Sequence, residues 1–138
     1  MLTLVHAPRS RSTSFLWLLE ETGEPYEIQY VSIRRGDGSG ELDPDNPHPH
    51  GKVPVLKDGS TIVFEQTAIA LYVADKFPKA RLGPTVADAG RGPFLTMLGP
   101  LEAPAVLVVR RCCGWAFAMF QGFVDRDSVE QAVVDARR

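Results

Sequence analysis

The residues able to do chemistry sit in a few short stretches of this 138-residue chain. In "APRSRSTS" (7–14), Ser10 and Ser12 flank Arg11. The plain role of serines at a helix start is capping, because the side-chain oxygen accepts a free N–H of the first turn. In "GKVPVLKDG" (51–59), Pro54 stands between Val53 and Val55. Proline has no N–H for a sheet ladder and is confined to edges, strand starts and bulges. Glu65 and Gln66 open an apolar run, where a carboxylate favours a helix dipole. Asp43, Asp45, His48 and His50 have the ligand types of a metal site. Intervening prolines and the lack of a nearby cysteine favour solvated loop residues instead, so no metal is expected. The adjacent Cys112 and Cys113 make neither a disulfide framework nor a C-x-x-C pair. Beside Trp115 and Phe117 they read as small buried hydrophobes.

The elements that must position these residues follow from pattern. "LTLVH" (2–6) is a β-prone run, and "RSTSFLWLLEET" (11–22) carries Phe15, Leu18 and Leu19 at helical spacing. Gly23 is its C-terminal stop. "YEIQYVSI" (26–33) is a second strand, and strand–helix–strand in that order implies a parallel pair. Three glycines and three prolines make 34–50 a loop. "VPVLK" and "TIVF" flank "DGS", an antiparallel hairpin. "QTAIALYVADKF" (66–77) is a helix that Pro78 ends. Residues 79–93 are rich in Gly and Pro and read as a linker. Beyond them, "FLTMLGPLEAPAVLVVRR" is expected to be a helix broken at Gly99, Pro100 and Pro104. "DRDSVEQAVVDARR" (125–138) is expected to be a terminal helix.

Composition narrows the class. A formal net charge of −2 gives no electrostatic reason for a nucleic-acid partner. No basic n-region leads into an apolar h-region, and the run "AVLVV" is too short to span a bilayer. The expectation is a cytoplasmic protein with no membrane partner.

Three ordered blocks carry a resemblance: "HAPRSRSTSFLWLLEETGEPYE", "NPHPHGKVPVLKDG" and "FEQTAIALYVADKFP". Together with the βαβ–ββα order they resemble the N-terminal domain of the cytosolic glutathione transferases, in the bacterial, serine-type flavour. "RGPFLTML" resembles the family's first helix of the second domain. The resemblance implies a thioredoxin-like α/β domain with a mixed four-stranded sheet over 1–80. A linker (81–90) and a truncated all-α domain (91–138) would follow.

It also implies a site. The Val53–Pro54 bond would be cis, turning the N–H and C=O of Val53 outward to pair with an extended peptide, the cysteine residue of glutathione. A trans proline at an ordinary strand start is the alternative. Glu65 would fix the γ-glutamyl end at a helix N-terminus. Gln66 stands where the family usually has serine, so its amide would donate, helped by the hydroxyl of Thr67. Lys52 would lie near the glycine carboxylate. Ser10, with Ser12 as second candidate, would lower the thiol pKa, and Arg11 would stabilise the thiolate.

The implied function is conjugation of glutathione, as co-substrate, to a small electrophile by a homodimer. The alternative is a non-catalytic glutathione-binding or protein-interaction module that has lost the electrophile site. The segment after the linker is shorter than the family's second domain, which leaves the electrophile pocket the less supported half.

Overall fold

The computed structural model describes residues 1–98 and the backbone of 106–111 and 114–119. Its centre is a four-stranded sheet of β1 (Leu2–His6), β2 (Tyr26–Tyr30), β3 (Val55–Asp58) and β4 (Thr61–Phe64), in the order β2-β1-β3-β4. Strand β1 runs parallel to β2, from Leu2 opposite Tyr26 to His6 opposite Tyr30. It runs antiparallel to β3, from Leu2 opposite Asp58 to Val5 opposite Val55. The β3–β4 hairpin pairs Val55 with Phe64 and closes at Asp58 and Thr61. This is the mixed sheet and the βαβ–ββα order expected of a thioredoxin-like domain.

Helices α1 (Thr13–Glu20) and α2 (Gln66–Lys76) carry the apolar stripes that cover the sheet. Side chains of a strand alternate between faces. Leu2 and Leu4 join Phe15, Leu16, Leu19, Leu56, Ile69 and Val73 in the main core. Val5, of opposite phase, packs with Val31 and Val55, and Ile33 and Val53 lie against them. The central strand is thus buried on both faces, which is why "LTLV" is nearly all apolar.

Two stops behave as their residue types dictate. Gly23 takes φ +68, a left-handed turn that costs a residue without Cβ nothing. Pro78 begins a single 3-10 turn, Pro78–Ala80, directly after α2. The Asp58 carboxylate, at the hairpin turn, accepts from the Tyr72 hydroxyl (2.7 Å) and the Lys76 ammonium, tying hairpin to α2. Those two donors hold its carboxyl below the usual carboxylate range, the lysine bond contributing most.

Helix α3 (Arg91–Leu98) coincides with "RGPFLTML". Its Phe94 and Leu98 pack with Leu71, and Arg91 grips both carboxylate oxygens of Asp75 at 2.8 Å. The expected all-α segment departs from helix at 106–111 and 114–119. There β5 (Val106–Arg111) and β6 (Gly114–Met119) pair antiparallel, Val106 opposite Met119. Pro100 and Pro104 interrupt the helical pattern, and Val106, Val108 and Val109 are β-branched and Trp115 and Phe117 aromatic, types that favour strands. Cys112, Cys113 and the terminal helix expected over 125–138 lie outside the described residues. Among the described residues, no helix is long and apolar enough to cross a membrane.

Candidate active site

Register decides where the candidates meet. The C-terminal end of β1 lies beside the start of β3, since Val5 pairs with Val55. The end of β4 lies there too, since Val55 pairs with Phe64. The turn after β1 (Ala7–Ser12), the Val53–Pro54 step before β3 and Glu65 after β4 therefore gather at one end of the sheet. Three stretches far apart in sequence become neighbours because a mixed sheet brings those strand ends together.

The turn after β1 holds a buried hydroxyl cluster. Ser12 Oγ lies 2.6 Å from His6 Nδ1 and 2.6 Å from Ser10 Oγ. It accepts the Ala7 N–H at 3.2 Å, and the Ala7 carbonyl lies 3.4 Å away. Ser10 Oγ accepts the Ser12 N–H at 3.1 Å. His6 and Ser12 are wholly buried, while Ser10 keeps 8% of its surface. Ser12 occupies the cap position of α1, but its side chain makes no cap bond. The capping role expected for it is therefore not realised, because its oxygen is already committed to the cluster. Ser12 is thus the inner member of the pair and Ser10 the outer one. The Thr13 hydroxyl, one residue on, is buried without a hydrogen-bond partner.

Arg11 is exposed, and Arg9 has φ 53. Arg35, from the long connection, donates to the Pro8 carbonyl at 2.8 Å and the Arg9 carbonyl at 3.3 Å, pinning the turn from outside. Nothing in the local sequence of either segment announced that clamp, since the two partners stand 27 residues apart.

The second wall is the Val53–Pro54 step. The bond is cis, as the resemblance implied. Pro54 is buried and Val53 half-buried. Val53 lies beyond the β1–β3 ladder, whose last pair is Val5 and Val55. Lys52 is exposed, and its carbonyl accepts from the Asn46 amide at 3.2 Å. Asn46 Oδ1 in turn accepts the His48 N–H at 3.0 Å, and His48 Nδ1 accepts the His50 N–H at 3.0 Å. Gly51 takes φ +59 where a Cβ would lie 2.4 Å from the Leu42 side chain. His48 is buried and packs against Phe64, the rings tilted by 57° with centroids 5.1 Å apart.

That burial corrects the expectation of a solvated histidine. The prolines fold the loop back on itself through turns, so His48 becomes its internal scaffold. Burial pulls the His48 pKa below 6.5, and the charges of His50 and Lys52 add to this while Glu65 opposes it. Asp43 stays partly exposed and also accepts the Ser32 and Asp45 N–H groups at 3.1 and 2.9 Å.

The third wall is the start of α2. Glu65 occupies the cap position with φ 72 and ψ 128, a left-handed conformation that a residue with a Cβ adopts at a cost. Its side chain is exposed and makes no cap bond. The first helical bond inside α2 runs from the Ile69 N–H to the Glu65 carbonyl at 2.9 Å. The N–H groups of Gln66, Thr67 and Ala68 precede it and face the helix N-terminus, where a carboxylate is favoured. Gln66 is half-buried. The Thr67 hydroxyl donates to the Leu98 carbonyl at 3.2 Å, so it is committed to α3 rather than lent to a ligand as expected.

Sequence reasoning missed His6. The available signal was a polar residue in phase with Leu2 and Leu4, on the core side of β1. It also missed Arg35, for which there was none.

A mixed sheet in the order β2-β1-β3-β4, with a cis-proline step and a helix N-terminus at one end, defines a thioredoxin-like domain. Residues 1–75 match the family "Glutathione S-transferase, N-terminal domain". The chain belongs to the glutathione S-transferase family. Glutathione S-transferase 4 of Zea mays is 35% identical over 130 residues, covering 87% of this chain and 52% of the maize protein. The structure of a sphingomonad glutathione S-transferase complexed with glutathione has TM-score 0.58 and 32% identity, covering 70% of this chain and 48% of that one. A bacterial beta class transferase of Sphingomonas chungbukensis has TM-score 0.57 and 30% identity, with 70% and 48% covered. The chain thus spans about half the length of these relatives.

Proposed function

We propose that this chain binds glutathione at the converging strand ends and activates its thiol for conjugation to a small electrophile. The observation that carries the reading is the convergence of Ser10, Val53 and Glu65 at one end of the sheet. The free first-turn N–H groups of α2, with Glu65 and the amide of Gln66, suit the γ-glutamyl end. Val53, outside the ladder, suits strand-like pairing with the cysteine residue. Lys52 suits the glycine carboxylate. The thiol then falls toward the turn after β1, where Ser10 donates and Arg11 adds positive charge.

A free thiol of pKa ~8.5 is mostly protonated at neutral pH. A hydroxyl donor that meets the sulfur only when it is ionised lowers that pKa. The thiolate attacks an electrophilic carbon and a C–S bond forms. The leaving group departs with its electron pair, and the thiol proton passes to solvent.

Calorimetry of glutathione binding, combined with turnover of an activated aryl halide, tests this. Binding with turnover is expected. Ser10→Ala is expected to lower turnover roughly ten- to hundredfold, the scale of a lost charge-assisted hydrogen bond, with affinity within a few-fold. Binding without turnover in the wild type would leave a glutathione-binding module. Absence of binding would refute both.

A further inference from the structure

The hydroxyl cluster contains an imidazole that thiol activation by a serine does not call for. We propose that His6 is a positioning residue: through Ser12 it sets the direction of the hydroxyl chain, so that Ser10 donates outward to the thiolate. This rests on the reading of Ser10 as the group at the thiol.

The argument is a count of protons and lone pairs. Each serine hydroxyl has one proton to give and two lone pairs to fill. Ser12 Oγ has three close polar neighbours besides the more distant Ala7 carbonyl: the Ala7 N–H at 3.2 Å, His6 Nδ1 at 2.6 Å and Ser10 Oγ at 2.6 Å. Ser10 Oγ already accepts the Ser12 N–H at 3.1 Å. Two directions fit these positions. In one, Ser10 donates to Ser12 and Ser12 donates to His6 Nδ1. Ser10 then has no proton left for a ligand.

In the other, His6 carries its proton on Nδ1 and donates to Ser12. Ser12 spends its proton on Ser10. Both lone pairs of Ser12 are then filled, by the Ala7 N–H and His6. Both lone pairs of Ser10 are filled as well, by the N–H and the O–H of Ser12. The Ser10 proton is the one left over, and Ser10 is the member of the trio that retains exposure, 8% against 0% for His6 and Ser12. A chain that ends on an outward proton suits an anion, and successive donors polarise one another. The 3.4 Å contact to the Ala7 carbonyl is the longest alternative for the Ser12 proton. Edge-on contact with Tyr30, ring centroids 5.6 Å apart, holds the imidazole in place.

No bond to carbon forms in this step, and His6 does not touch substrate. It determines which hydroxyl proton is available.

The test uses the full chain with its three histidines labelled with nitrogen-15. In the glutathione complex, at a pH where the bound thiol is ionised, His6 Nδ1 is expected to give a protonated-type shift. An unprotonated Nδ1 in that complex would overturn the proposal, and needs no variant to fold. In parallel, the pKa of bound glutathione is read from thiolate absorbance in Ser10→Ala, His6→Ala and His6→Asn. His6→Ala is expected to raise it and to lower turnover about tenfold. His6→Asn, whose amide N–H reaches roughly the place of Nδ1–H, is expected to recover most of that loss. If Ser10→Ala impairs activation while His6→Ala does not, the positioning role fails and the Ser10 reading stands. If Ser10→Ala changes nothing, both fail.

Discussion

At the residue scale, Glu65 carries a backbone conformation uncommon for a residue with a side chain. It holds φ 72 at the start of α2, where an ordinary helix start would place a relaxed cap. Residues forced into such backbone cost of the order of 1–3 kcal/mol and persist where the surroundings fix them. The surroundings here are the end of β4 on one side and the first turn of α2 on the other. Removing the carboxylate and removing the strain are separable. Glu65→Ala is expected to weaken glutathione binding by about 1–3 kcal/mol, the scale of a lost polar partner. Glu65→Gly is expected to weaken binding as much, yet to be more stable than Glu65→Ala by roughly 1 kcal/mol, since glycine is at ease at positive φ. Thermal unfolding of the two variants side by side checks this. Equal midpoints would mean that the backbone at 65 is unstrained.

At the element scale, the connection between β2 and β3 does more than join strands. Val31, Ile33 and Val53 from it cover the second face of the sheet. Asp43, Asn46 and His48 fold it into turns that lead Lys52 and Val53 up to the start of β3. His48 is the titratable member. Its folded pKa is depressed below 6.5, chiefly by burial. The neutral ring is therefore favoured in the folded state, and its Nδ1 must stay unprotonated to accept the His50 N–H. Above the unfolded value this contribution is fully present. As pH falls through 6.5 toward the depressed folded value, the unfolded chain takes up a proton that the folded chain does not, and stability drops. His48→Asn keeps an acceptor oxygen near Nδ1 and removes the titration. Denaturant midpoints should fall from pH 7 to pH 5 in the wild type and fall less in the variant. Parallel pH profiles would exclude His48 as the source.

At the scale of the whole molecule, α2 is the hinge of the architecture. Its inner face meets the core through Ile69 and Val73, and Leu71 receives Phe94 and Leu98 of α3. On its outer side Val63, Ala68, Leu71, Tyr72, Asp75 and Lys76 line an open, mostly apolar groove. Strand β4 is the sheet edge, with Ile62 and Phe64 exposed at 47% and 39%. Contiguous exposed apolar surface is a common feature of contacts between chains. The homodimer expected from the family is thus a proposal with a place on the molecule. Sedimentation equilibrium should show a dimer, and Ala68→Glu, which puts a charge on an exposed position of that groove, should shift it toward monomer. A wild type that stays monomeric at high concentration would dismiss the dimer. An Ala68→Glu variant that dimerises as well as wild type would dismiss this face.

The sequence by itself determined the elements and their order, because these depend on local spacing. Leu2 and Leu4 alternate on a strand, Phe15, Leu18 and Leu19 recur at helical spacing, Asp58-Gly59 turns a hairpin, and Pro78 ends a helix. It also offered the candidate site residues, since Ser10, Val53 and Glu65 sit at element boundaries that its punctuation marks. What it did not contain is which atoms meet across those boundaries. Ser12 looked like a cap and became the middle of a hydroxyl chain, because the turn after β1 brings its oxygen to His6 rather than to its own helix. Thr67 looked available, and α3 claims it. His48 looked solvated and is buried on Phe64. Valines 106, 108 and 109 lay in a stretch read as broken helix and entered a hairpin, where a partner strand outweighs an interrupted helical pattern. Propensity and periodicity act over a few residues, so one strand or helix can be read at a time. Hydrogen-bond partners and burial depend on the ends of four strands arriving at one place, and only the assembled sheet fixes that.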